Sequence, residues 1–150
     1  MIEAMVRWND YNGFSSWYTA CVRVGYDPNA ILKRAHEVCA RHSLPSLLIY
    51  PGERDIEGCG GFEAVNEILL QSHEGELRFF PVWPKDQNAR FGNLRAVGAF
   101  LVSAKLKNGI VTGVKIVGEK GRPCTAQNPW TGKRVTVKTK PGEIIDLKPE

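Results

Sequence analysis

The sequence predicts an α+β chain, with a short helical segment over residues 1–73 followed by a small antiparallel β-sandwich over residues 74–150. Two observations carry this. Apolar residues recur at helical spacing up to about Gly75 and alternate with polar ones after it. The charge changes at the same place: residues 1–75 hold 6 Lys+Arg against 10 Asp+Glu, and residues 76–150 hold 14 against 6.

Trp17 to Arg23 reads as a short helix ended by Gly25. From Pro28 onward Ile31, Leu32, Ala35, Val38 and Cys39 form one stripe, with Lys33, Arg34, Glu37 and Arg41 opposite, which predicts an amphipathic helix over 28–42. Asp27 is its N-cap, Pro28 fits the first helical position, and Pro45 lies beyond its end. Pro45 to Gly61 reads as a loop, with Leu47–Tyr50 as a short extended stretch. Phe62, Val65, Ile68 and Leu69 then mark a helix over 61–73.

Beyond Gly75, Glu76–Phe80 reads as a short strand and Val82–Asn93 as a long polar connection. Leu94–Leu106 and Ile110–Glu119 are long alternating runs joined by Lys107-Asn108-Gly109, and Asn-Gly between such runs signals a hairpin. Pro123–Gln127, Arg134–Lys138 and Ile144–Leu147 complete about six strands. Short strands with frequent turn signals favour a sandwich over a parallel sheet.

Composition excludes several classes. With 43% hydrophobic and 24% charged residues over 150 positions, the chain suits one globular domain, or one domain plus a helical appendage. No window approaches the roughly 18 consecutive apolar residues of a membrane span, so no membrane partner is expected. The start, MIEAMVRWNDYNG, has no apolar core of a signal peptide. Cys21, Cys39, Cys59 and Cys124 follow no disulfide framework and read as small buried hydrophobes. His36, Cys39 and His42 have ligand chemistry but span about 240° of a helix, so no metal site and no cofactor are expected. The basic residues gather at Lys105–Lys107, Lys120–Arg122, Lys133–Arg134 and Lys138–Lys140, which read as turns. No recognition motif accompanies them, so no nucleic-acid partner is expected.

Reactive groups collect in the helical half. Glu53, Asp55 and Glu57 lie in the glycine-rich run 51–61, where paired carboxylates suit acid/base work on a glycosidic bond and also suit a solvated loop neutralised by Arg54. Ser72-His73-Glu74 reads as a helix end, without the glycines of a nucleophile elbow. Trp83 and Trp130, each beside prolines, read either as sugar-stacking platforms or as buried junction residues.

Linked motifs carry a resemblance. They are Asn66-Glu67-Ile68-Leu69-Leu70-Gln71-Ser72-His73-Glu74-Gly75, Phe79-Phe80-Pro81-Val82-Trp83-Pro84-Lys85, Leu94-Arg95-Ala96-Val97-Gly98-Ala99-Phe100-Leu101-Val102, Gly118-Glu119-Lys120-Gly121 and Asn128-Pro129-Trp130. Together, over about residues 17–135, they resemble the C-terminal end of family-95-type glycoside hydrolases, the α-L-fucosidase and α-L-galactosidase group, as found in gut and environmental bacteria. The resemblance implies that 1–73 are the last helices of a catalytic α/α toroid and 74–150 its C-terminal β-sandwich. It also implies a parent protein that is often secreted or periplasmic. Members of that group carry an Ile-Asp-Gly-Asn-Phe-Gly run whose Asp is the general base. Ile56-Glu57-Gly58-Cys59-Gly60-Gly61 places Glu57 there, with one residue fewer before the Leu-Leu-Gln-Ser-His match.

A toroid of roughly a dozen helices at about 11 residues each exceeds 73 residues, and the partner acid would lie upstream. The expectation is therefore a C-terminal fragment of a glycoside hydrolase, a β-sandwich accessory domain with partial toroid helices, without catalysis of its own. The alternatives are a carbohydrate-binding module using Trp83, Trp130 or Trp8, and an interaction protein that forms a homodimer through its helical half. Ile31, Leu32, Val38, Phe62, Val65, Ile68 and Leu69 would then supply the dimer face.

Overall fold

A computed structural model describes residues 13–42, 45 and 56–149; within its helices the side chains of 13–16, 38, 39, 42 and 56–62 fall outside that description. The chain is α+β and divides into two compact units, Met1–Ile68 and Leu69–Glu150.

The first unit contains α1 (Gly13–Arg23), α2 (Pro28–His42) and α3 (Ile56–Leu69). The α1–α2 connection follows from the sequence. Gly25 takes a positive φ of 68°, its N–H bonds Val22 O, and Tyr26 N–H bonds Cys21 O at 2.9 Å, the pair of bonds that closes a helix over a left-handed glycine. Asp27 then caps α2, its Oδ1 accepting from Asn29 N at 3.0 Å, with Pro28 in the first turn as expected. Trp17, Tyr18, Cys21, Val22, Ile31, Ala64 and Ile68 are buried in this unit. Arg23, at the end of α1, grips Glu67 of α3 through two nitrogens and also reaches Glu63.

α3 departs from expectation at both ends. It begins at Ile56 and so includes Gly58, Gly60 and Gly61, which read as loop because each glycine costs a helix about 1 kcal/mol. It stops at Leu69 because Leu70–Gln71 (β1) pairs with Arg78–Phe79 (β2). The stretch 46–50, expected to be extended, lies outside the described residues.

The second unit holds three antiparallel sheets among the described residues. One is β1–β2; one is a four-stranded sheet in the order β3 (Ala89–Ala96), β4 (Phe100–Lys107), β5 (Ile110–Gly118), β8 (Glu143–Leu147); one is β6 (Cys124–Gln127) with β7 (Arg134–Val137). The hairpin at Asn108-Gly109 forms as predicted. Lys107 pairs with Ile110, and both loop residues have positive φ, as a two-residue type I′ turn requires. The run Leu94–Leu106, predicted as one strand, is two. It turns at Val97-Gly98-Ala99, where Gly98 and Ala99 both have positive φ. Apolar turn residues hid this hairpin, and the last five residues of the expected polar connection Val82–Asn93 are in fact β3.

Leu77 joins two of the sheets: its N–H bonds Thr125 O and its carbonyl accepts from Gln127 N, both at 2.9 Å. All three sheets feed one core that includes Leu70, Phe79, Phe80, Phe100, Val102, Ile116 and Ala126. Near its rim, a Cβ built on Gly118 would lie 2.6 Å from Thr139 Oγ1 and 2.9 Å from Thr139 Cβ. That threonine is held, its hydroxyl donating to Arg122 O at 2.8 Å. Gly118→Ala should therefore cost about 1–3 kcal/mol in denaturant unfolding. Adding Thr139→Gly, which removes the opposing atoms, should make the double variant more stable than the sum of the single changes.

Candidate functional site

The motifs of the resemblance fall mostly at the joints of the second unit. Ser72-His73-Glu74-Gly75 forms the β1–β2 loop, with Gly75 at φ 73° and Gly75 N–H on Ser72 O. Ser72 Oγ accepts from Val97 N at 3.1 Å, tying this loop to the β3–β4 turn. Glu74 and Arg78 pair at 2.6 Å across the same loop. Phe80, at φ 52°, donates its N–H to Leu69 O at 2.8 Å. Arg95 of β3 meets Glu119 through two contacts, the shorter 2.6 Å, and that hydrogen bond holds the Glu119 carboxyl below the usual carboxylate range.

Asn128 sits at the centre of the Asn-Pro-Trp motif and is 2% exposed. Its Oδ1 accepts from Trp130 N at 2.9 Å and Thr131 N at 3.1 Å, and its Nδ2 donates to Lys148 O at 3.3 Å. Sequence reading named Asn128 within its motif and gave it no role of its own. An Asn directly before a proline, opening a turn, was the available signal.

Trp83 and Trp130, the expected sugar platforms, are brought to one end of the four-stranded sheet. Trp130 Nε1 donates to Val111 O at 2.6 Å, just past the Asn108-Gly109 turn. On the other side Asn108 N–H bonds Asn88 Oδ1 at 2.8 Å, and a Cβ on Gly109 would lie 3.1 Å from Lys85 O. Trp83 belongs to this second loop and closes it by donating Nε1 to Gln87 O at 3.0 Å. Both indoles are half-buried and pack against the core. Their N–H groups are thus engaged within the protein, which leaves ring edges and faces as the surfaces a sugar would meet.

No protein-family model and no curated protein matches this chain.

Glu57 is the second residue of α3, and its side chain, like all of Glu53 and Asp55, lies outside the described residues; so does Trp8. Ile31 and Ile68, expected on a dimer face, are buried, whereas Val65 is exposed; Val38 and Phe62 lie outside the described side chains. His36 is exposed on α2, with Cys39 and His42 likewise outside. Among the described residues no group of three or more His, Cys, Asp or Glu is placed to hold a metal, and no helix is long and apolar enough to cross a membrane. Lys105 and Lys107, read from sequence as turn residues, are strand residues of β4. Arg90, read as part of a polar connection, lies directly opposite Lys105 on β3.

Cys21 and Cys124 are buried free thiols, and burial pushes each up to about 11. An unfolded thiol ionises near 9, so the native protein keeps protons that the unfolded chain gives up between those values. Stability should be undiminished by this effect below pH 9 and fall as pH rises towards 11, on the order of 2 kcal/mol per thiol. Unfolding at pH 8 and pH 10.5 should show the fall, and Cys124→Ala should remove about half of it.

Proposed function

We propose that this chain is the C-terminal portion of a glycoside hydrolase of the α-L-fucosidase and α-L-galactosidase type. In this reading the β unit is a sandwich-type accessory domain, α1–α3 are remnants of a catalytic toroid, and the chain does not hydrolyse glycosides unaided. One observation supports it most: the linked motifs of the resemblance are load points of a single β unit. Ser72 bonds the β3–β4 turn, Arg95 grips Glu119, and Asn128 organises the Asn-Pro-Trp turn. Residue combinations that hold a fold together track that fold, which is why motifs without catalytic groups still speak for a family.

The chemistry agrees. Glycoside hydrolysis needs an acid and a base or nucleophile across the scissile bond, about 5–9.5 Å apart. In the β unit Glu74, Glu76 and Glu119 pair with arginines and Glu143 accepts from Lys140 N–H, and Glu57 is the single candidate the resemblance supplies. The expected result is no release of aryl alcohol from aryl α-L-fucosides or α-L-galactosides by the chain alone. Turnover that disappeared in Glu57→Gln would overturn the reading of an inactive portion and make Glu57 catalytic.

A further inference from the structure

One face of the four-stranded sheet carries a charge pattern that fold stability does not require. Side chains on this face alternate with the buried ones of β4: Leu101, Ser103, Lys105 and Lys107 point away from the core that Phe100, Val102, Ala104 and Leu106 enter. Register places Arg90 directly across from Lys105 on β3, and Lys115 across from Ser103 on β5. Like charges directly opposite in an antiparallel pair destabilise it. Of the other cations of the face, Arg95 pairs with Glu119, and Lys115 stands opposite Asp146 in register. Arg90, Lys105 and Lys107 are exposed, and among the described residues no carboxylate lies within ion-pair reach of them. They line up over two neighbouring strands about 4.8 Å apart, with Lys107 about 6.8 Å along the strand from Lys105.

We propose that this sheet face binds an acidic polysaccharide, a polyuronate whose carboxylates seat on Arg90, Lys105 and Lys107. The choice of a polysaccharide rests on the proposed function; the need for an anion does not. Arginine's planar fork matches a carboxylate in two hydrogen bonds, and the lysines supply point charges beside it. An extended chain with one carboxylate per ring suits a flat, pleated surface bearing cations at intervals of one strand and of two residues. Nucleic acid fits less well, because the aromatic residues of these strands, Phe91 and Phe100, face the core and leave no stacking platform for bases.

Native-gel retardation in polygalacturonate, run with the full chain, tests this against a neutral galactan and a single-stranded DNA. The wild type should be retarded by polygalacturonate and not by galactan, less so as salt rises. Lys105→Glu should weaken retention about tenfold or more without lowering Tm, because it places a carboxylate opposite Arg90 and relieves the repulsion. Lys107→Ser should weaken retention in the same direction, whereas Lys138→Glu, beyond the end of β7, should change it less than about twofold. No retardation, equal retardation by galactan, tighter binding of the DNA, or equal weakening by Lys138→Glu would each overturn the proposal. The outcome is separable from the proposed function. Turnover of a fucoside would remove the inactive-portion reading and leave the face untouched, while an inactive chain that ignores polygalacturonate removes the face alone.

Discussion

Asn128→Ala is expected to destabilise the protein by about 3 kcal/mol, a large share of a typical domain's margin. The side chain is 2% exposed and makes three bonds, two accepted from Trp130 and Thr131 N–H and one donated to Lys148 O. Alanine leaves those part-buried partners without theirs, at about 1 kcal/mol for each lost bond. Asn128→Asp separates the two ends of the amide. It keeps both accepted bonds but sets a carboxylate oxygen against Lys148 O in a site 2% exposed, so its cost should match or exceed that of alanine. Urea unfolding checks the series: the midpoint should fall for both variants, for Asp at least as far as for Ala, with an unchanged slope. A midpoint for Asn128→Ala within experimental error of the wild type would show that the Asn-Pro-Trp turn holds itself by its backbone bonds.

The elements that were legible in the sequence are those whose signals are local. Asp27-Pro28 announces the start of α2 and Gly25 the end of α1, because capping and left-handed glycine are decided within a few residues. Asn108-Gly109 announces its hairpin for the same reason. What escaped depends on partners far away in sequence. Leu70–Gln71 has the composition to continue a helix and becomes a strand because Arg78–Phe79 returns beside it. Val97-Gly98-Ala99 has no polar turn signature, yet Ser72 Oγ and the Ala99–Glu119 backbone bond hold the turn there. The glycines of 58–61 read as loop and lie in α3.

The candidate site divides in the same way. Trp83 and Trp130 were legible as a pair of aromatic, proline-flanked residues, and the structure brings their loops to the same hairpin. The roles of their N–H groups were not legible, since Val111 O and Gln87 O acquire meaning only once strands are in register. The basic face was misread for a related reason. Counting lysines along the chain groups Lys105 with Lys107 at a turn, whereas pairing groups Lys105 with Arg90, fifteen positions away. Charge that matters on a sheet is organised across strands, and a linear reading cannot see it.

Trp130→Ala is expected to cost about 3 kcal/mol, more than Trp83→Ala. The ring packs against the core and its Nε1 donates to Val111 O at 2.6 Å, so truncation removes apolar contact and orphans a part-buried carbonyl together. Trp130→Phe keeps most of the packing and loses the bond alone, which sets its cost nearer about 1 kcal/mol. Trp83→Ala should cost less than Trp130→Ala, since its 3.0 Å bond to Gln87 O closes an exposed local loop. These values distinguish a structural tryptophan from a sugar platform. A platform residue changed to alanine would lose retention of a neutral polysaccharide in a native gel and keep its Tm, because stacking serves the ligand and not the fold. Trp130→Ala should do the reverse, losing Tm by several degrees. It should also be non-additive with Asn128→Ala, because one turn can be broken only once: the double variant should fall well short of the summed losses. Additive losses would mean that the Trp130 ring and the Asn128 amide stabilise the unit independently.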